Sequence, residues 1–197
     1  MKDLMKPIRT LVDARTGLLN PCDSIIERRL SDMQGMYANA EAYNELLNKG
    51  DKLVYKVYEV NIPQVEGQLL YSTSVIYPGR VGDEYFMTKG HFHLKEDTAE
   101  IYLCFQGEGY LLMQTHDGQI SSIEMKPGTI GYIPPYWGHR TINTGNKKLI
   151  FFTIYPADAG HNYKIVEERG FAKIVVEEKG TPVLRENPKY RRDKDAE

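Results

Sequence analysis

Between residues 54 and 155 the chain never runs far before it must turn. Runs rich in β-branched, aromatic and aliphatic residues occupy 54–60, 69–76, 100–105, 109–114, 119–125, 129–133 and 149–155. They are cut by Pro78-Gly79, Gln106-Gly107-Glu108-Gly109, His116-Asp117-Gly118, Lys126-Pro127-Gly128 and Asn143-Thr144-Gly145-Asn146. The runs have strand composition, and the breaks carry the Gly, Pro, Asn and Asp that turns require. Many short strands on short connections, with almost no helix between them, leave few ways to bury a common core. The pattern predicts a mainly β fold, an antiparallel jelly-roll barrel or sandwich. A short helix or turn is expected after Pro156-Ala157-Asp158-Ala159-Gly160, and a last strand near 172–177.

Ahead of this block, residues 22–50 read as helical. Asp23 and Ser24 can cap a turn running into Ile25, Ile26 and Leu30. Asn39 can cap a second segment with Ala42, Tyr43, Leu46 and Leu47 at helical spacing, and Gly50 is a natural stop. The 1–50 segment has too few apolar residues to fold alone, so it is expected to pack on a barrel spanning 51–180. A tail over 181–197 is expected to follow, fraying over its charge-dense end at 190–197. One domain results. With 197 residues, 41% of them hydrophobic, the chain can bury a core without disulfides.

Charge and cysteine usage exclude several functions. Lys and Arg total 25 against 27 Asp and Glu, a balance that argues against nucleic-acid binding. No apolar run is long enough to span a bilayer, and Met1-Lys2-Asp3-Leu4-Met5-Lys6-Pro7 lacks the apolar core of a signal peptide, so no membrane partner is expected. Cys22 and Cys104 alone make no disulfide framework, and a cytoplasmic location is the default.

The chemistry concentrates on histidine. Of five, two form His91-Phe92-His93, and on an extended chain residues two apart share a face. Glu100 begins the apolar run Ile101-Tyr102-Leu103, where an unpartnered carboxylate would be costly. His139 follows Pro134-Pro135-Tyr136-Trp137-Gly138. Three neutral nitrogen donors and one carboxylate suit a single divalent ion such as Fe²⁺, Mn²⁺, Ni²⁺, Co²⁺ or Zn²⁺. The competing reading makes His91 and His93 surface residues and pairs Glu100 with Lys89 or Lys95. His116, beside Asp117-Gly118, is given a structural role. Tyr37, Tyr43, Tyr58 and Tyr77, among 14 tyrosines, are read as packing.

At these residues the chain resembles a family. His-x-His, then Glu100, then Gly107 is similar to the first cupin motif, and Gly128, Pro134, His139 and Asn143 to the second. Glu100 lies further from His93 than is usual among cupins, and Tyr136 stands where the second motif commonly has Gly. Both departures point to one subgroup. Tyr77-Pro78-Gly79-Arg80-Val81-Gly82, Phe86-Met87-Thr88-Lys89-Gly90-His91-Phe92-His93, Pro134-Pro135-Tyr136-Trp137-Gly138-His139-Arg140-Thr141-Ile142-Asn143 and Ile154-Tyr155-Pro156-Ala157-Asp158-Ala159-Gly160-His161 resemble the cupin-type phosphoglucose isomerases of archaea and some bacteria. The resemblance extends from about Arg29 to about Pro188. It implies a homodimeric enzyme, one metal per subunit, that interconverts glucose 6-phosphate and fructose 6-phosphate. It also implies phosphate and sugar contacts at Tyr55, Ser74, Thr88, Gly90, Tyr155 and Tyr163. His161 is assigned to the site mostly by resemblance. Tyr102 is assigned by position, two residues past Glu100 and on its face.

An aldose–ketose isomerisation needs the open-chain sugar held, O1 and O2 polarised, and hydrogen moved between C2 and C1. A metal can polarise the oxygens and a carboxylate can carry the proton. Glu100 is the expected carrier, because Asp83, Glu84, Glu96 and Asp97 fall in turn-like, solvated stretches. A hydride shift, or a relay through His161 or Tyr155, remains open. No Walker loop or dinucleotide fingerprint is present, so the phosphate is expected on hydroxyls and a backbone N–H near Thr88 and Gly90, without an arginine clamp. Two other functions share the ligand set: an Fe²⁺ cupin dioxygenase, and a non-catalytic sugar-binding cupin.

Overall fold

The computed structural model describes residues 5–191, which form strands β1 Leu11–Val12, β2 Leu19–Asn20, β3 Ser24–Arg29, β4 Leu53–Glu59, β5 Leu69–Ile76, β6 Arg80–Val81, β7 Glu84–Tyr85 and β8 Glu100–Gln106. They continue with β9 Gly109–Gln114, β10 Ile120–Met125, β11 Ile130–Ile133, β12 Gly138–Asn143, β13 Leu149–Pro156, β14 Lys173–Glu178 and β15 Thr181–Glu186. Helices are short: a 3-10 turn at Leu30–Met33, α1 at Ala40–Asn48 and α2 at Lys164–Arg169.

The central layer is a six-stranded antiparallel sheet in the order β11-β8-β13-β5-β4-β3. A three-stranded sheet, β10-β9-β12, forms the facing layer, and a third sheet runs β15-β14-β7-β6. The layers stack as a sandwich, the expected mainly β architecture, and do not close into a barrel. One core fills the space between them, with Leu111, Met125, Ile133, Phe151 and Phe92 buried together. The extended segment over 86–93 is laced to β12 by bridges Met87↔Ile142 and His91↔His139, which decides where the site lies.

The helical reading of 22–30 is corrected. Residues 24–29 are strand β3, paired with β4 from Ser24↔Glu59 to Arg28↔Tyr55. Ile26 and Arg28 are half-buried while Ile25, Glu27 and Arg29 are exposed, a period of two rather than 3.6. The open edge of β4 supplies backbone partners that no local signal announces, and tertiary pairing overrides helix propensity. Within 22–50, α-helix forms at α1, where Asn39 Oδ1 accepts from the Ala42 N–H at 3.0 Å. Six other strands were missed: the two-residue strands β1, β2, β6 and β7; β12, which directly follows Pro134-Pro135-Tyr136-Trp137; and β15, read as tail, which pairs with β14 along its length. The expected fraying at 190–197 falls mostly on residues outside those described.

Tyr136 has a positive φ of 69°, the conformation that explains the glycine common at this motif position; a non-glycine residue is strained there by roughly 1–2 kcal/mol. Of the tyrosines read as packing, Tyr37 and Tyr43 stack with ring centroids 6.3 Å apart.

Candidate metal centre and active site

Three elements bring the ligands together. His91 and His139 are paired across an antiparallel bridge, with His91 N–H donating to the His139 carbonyl at 3.1 Å and the return bond at 2.9 Å. Their rings therefore rise from one point, with centroids 4.5 Å apart. His93 lies two residues on, and Glu100 enters from β8, 3% exposed. The ligand atoms of His91, His93, Glu100 and His139 all lie within 4.8 Å of one another. An ion ~2.0–2.2 Å from each donor can serve all four after small side-chain adjustments.

Hydrogen bonds orient these donors. Thr98 Oγ1 donates to the Lys95 carbonyl at 2.6 Å, so at 2.7 Å from His93 Nδ1 it can only accept. The proton therefore sits on His93 Nδ1, and the Nε2 lone pair is turned to the centre. Nε2 of His93 and of His139 approach Glu100 Oε2 at 3.3 and 3.0 Å. Nε2 of His91 and of His139 are buried without an aligned hydrogen-bond partner. Lone pairs converging on a carboxylate and left unsatisfied are what a cation would fill, so the donor set fits a divalent metal. Burial, then the neighbouring His139, His161 and His93, hold His91 well below the ordinary histidine range, in the neutral form a ligand needs. Burial would raise Glu100, but the His139 and His93 imidazoles more than offset it and keep the carboxyl below its usual value.

The cluster forms part of the wall of a cleft that is open to solvent and lined by hydroxyl and aromatic side chains. Strand register of the six-stranded sheet builds more of the wall. Val57 pairs with Ser74 and Ser74 with Phe151; Glu59 pairs with Ser72, Ser72 with Thr153, and Thr153 with Tyr102. Every sequence-read site residue except His93 lines the cleft: Tyr55, Ser74, Thr88, Gly90, His91, Glu100, Tyr102, His139, Tyr155, His161 and Tyr163. Burial pushes the Tyr55 hydroxyl up to about 12 and raises Tyr102, Tyr155 and Tyr163 as well, so all four keep their protons as donors. The His161 ring sits 4.3 Å from that of His91 and 5.4 Å from that of Tyr155, and burial chiefly lowers its pKa. His116 stays outside the cluster, stacked on Phe92 with Nε2 2.9 Å from Glu96.

Gly90 is shaped for close approach. Its φ is 76°, and a Cβ there would come within 2.8 Å of the His139 carbonyl oxygen and Arg140 Cβ. Behind it, the buried Arg140 donates from Nη2 to the Lys89 carbonyl at 2.6 Å. In a trans peptide C=O and N–H point opposite ways, so this bond turns the Gly90 N–H away from Arg140.

The family model for glucose-6-phosphate isomerase matches residues 27–192. The chain belongs to the glucose-6-phosphate isomerase family. The glucose-6-phosphate isomerase of Thermococcus litoralis is 50% identical over 94% of this chain and 97% of its own length. That of Pyrococcus furiosus is 47% identical over 95% and 98%, and that of Sinorhizobium medicae 34% over 91% and 85%. Among solved structures, Bacillus subtilis oxalate decarboxylase superimposes at a TM-score of 0.45 with 24% identity, over 55% of this chain and 27% of its own, too partial a likeness to add to these relatives.

Sequence reasoning missed several lining residues of this isomerase: Arg28, Glu59, Ser72 and Thr153. Ser72 and Thr153 were within reach, since each is two residues before a named site residue on its own strand, Ser74 and Tyr155, and so shares its face. Arg28 was hidden by the helical misreading of β3.

Proposed function

We propose that the protein is a metal-dependent isomerase that interconverts glucose 6-phosphate and fructose 6-phosphate at this cleft. The observation that carries the reading is the convergence of four buried ligand atoms on one wall of a cleft rich in hydroxyls. His91, His93, Glu100 and His139 would hold one divalent ion per subunit, Fe²⁺ before Mn²⁺, Ni²⁺, Co²⁺ or Zn²⁺. Such an ion supplies Lewis acidity toward the O1 and O2 oxygens.

The protein's own residues do the rest. Tyr55, Ser74, Thr88, Gly90 and Tyr163 bind the phosphate and sugar hydroxyls. Tyr102, Tyr155 and His161 line the cleft beside the metal cluster and orient the open chain. Glu100, ionised at neutral pH, takes the proton from C2 as electrons move into the C1–C2 bond, then returns it to C1. His161 or Tyr155 carries the proton exchanged at the oxygens. We place the enzyme in the cytoplasm as a homodimer; among the described residues no helix is long and apolar enough to cross a membrane. A native mass of one chain at micromolar concentration would contradict the dimer.

A coupled assay on fructose 6-phosphate tests the reading. Activity should vanish with a chelator and return with added Fe²⁺. Glu100→Gln keeps the shape and one ligand oxygen but removes the base. It should retain metal and lose kcat by 10²-fold or more. Solvent deuterium should enter the wild-type product at the migrating position. Complete retention of a C2 label would instead mean a hydride shift, and Glu100 would not carry the proton.

A further inference from the structure

The cleft holds one fixed cation that the reading above does not use. Among its lining residues Arg28 is the sole Lys or Arg. Alternation along β3 turns Arg28 and Ile26 into the cleft, while Glu27 and Arg29 face outward, Glu27 pairing with Lys56 and Arg29 at the surface. Arg28 stands directly opposite Tyr55 in the β3–β4 pair. No carboxylate of the described residues lies within ion-pair distance of its guanidinium, which donates from Nη1 to the Glu27 carbonyl at 3.3 Å and also bears on the Tyr55 hydroxyl. The neighbouring lysine is spoken for, since Lys89 Nζ lies 3.5 Å from Glu167.

The surroundings give this cation a direction. Tyr55 feels both the Arg28 guanidinium and the Lys89 backbone N–H, each of which opposes the rise that burial causes in its pKa. The Tyr163 hydroxyl feels Arg28 as well. Arg28 therefore sits at the end of the cleft where Tyr55, Tyr163 and the Lys89 backbone N–H meet. Glu59, an acid of the same wall, lies four residues along β4 from Tyr55, about 13 Å of strand. An anion entering the cleft finds its charge partner at Arg28, while the Glu59 carboxylate repels it from further along β4. Hydroxyls and one N–H can solvate a phosphate, but they cannot neutralise a dianion drawn out of water.

We propose that Arg28 is the charge partner of the substrate phosphate, donating guanidinium N–H bonds to its oxygens beside the Gly90 N–H. This rests on the sugar-phosphate reading of the cleft, and it replaces the sequence-based expectation of a phosphate site without arginine. A guanidinium presents paired donors that match two phosphate oxygens. With the phosphate at Arg28, the sugar's other end is directed toward His91 and Glu100, so the same contact orders the reacting carbons.

The test uses two probes on the intact, metal-loaded protein. Arg28→Met and Arg28→Lys are compared with wild type for fructose 6-phosphate turnover, and for inorganic phosphate binding by titration calorimetry. Arg28→Met should raise KM about 10- to 100-fold, with a smaller change in kcat. It should weaken inorganic phosphate by a similar factor while metal content and melting temperature hold. Arg28→Lys should fall between, having the charge without the fork. An unchanged KM and an unchanged phosphate affinity in Arg28→Met, with active wild type, would overturn the proposal and leave the isomerase reading intact. Wild type that binds no phosphate would overturn the proposal as well. Wild type that binds phosphate through Arg28 but turns over no fructose 6-phosphate would support the anion site and overturn the reading beneath it.

Discussion

Glu84 should set part of the pH dependence of stability, although it lies outside the cleft. It is 4% exposed. Its Oε2 accepts from the Ala38 N–H at 2.7 Å, while Oε1 is buried without a partner. Burial, only partly opposed by that N–H and by the charges of Arg140 and Lys189, pushes its carboxyl up to about 7 from the ordinary 4.5. Between those values the folded chain holds a proton that the unfolded chain has released. Stability therefore falls as pH rises from about 4.5 to about 7 and levels off above. A gap of about 2.5 pH units, at ~1.36 kcal/mol each, amounts to roughly 3 kcal/mol. Glu84→Gln stays neutral throughout and keeps an acceptor for the Ala38 N–H. Urea denaturation of both proteins across pH 4.5–8, under identical metal conditions, subtracts every other titrating group. The two should be close in stability at the acid end. At pH 8 Glu84→Gln should be the more stable, by up to about 3 kcal/mol. Parallel profiles would show that Glu84 ionises at an ordinary pH, and the argument from its burial would fail.

Thr88→Val should raise KM for fructose 6-phosphate about tenfold without changing metal content, since Thr88 lines the cleft and its hydroxyl, which accepts from the Thr141 N–H at 3.1 Å, keeps a proton to donate; an unchanged KM would move the phosphate elsewhere. Gly90→Ala should lower stability by roughly 2–4 kcal/mol, because a Cβ at positive φ would press on the His139 carbonyl. A melting temperature equal to wild type would contradict that geometry. His139→Ala should abolish stoichiometric metal binding by elemental analysis while circular dichroism keeps its β signature. Full occupancy in that variant would remove His139 from the ligand set.

Much of the site was legible because its signals are local. His91 and His93 share a face by virtue of their spacing, and Glu100 is placed inside by the apolar run it begins. Strand runs from 69–76 to 149–155 were readable because each alternates or concentrates β-formers between turn residues. Strand β3 was not readable. Ser24–Arg29 carries helix-compatible residues, and it becomes a strand only because the edge of β4, some thirty residues later, offers unpaired backbone groups. With that misreading went Arg28, whose inward direction depends on strand alternation. The aim of the Gly90 N–H was also invisible, since it follows from a bond between the Lys89 carbonyl and Arg140, 51 residues away. Glu84 shows the same limit. Its flanking residues resemble a solvated turn, yet the packing of Tyr37, Arg140 and β14 around β7 buries it. The sequence by itself determined the donor types, their shared faces and the mainly β architecture, because these rest on spacing along the chain. Which cation lines the cleft, which acid is buried and which way a peptide points were decided by tertiary pairing, because each needs a partner that the local sequence does not contain.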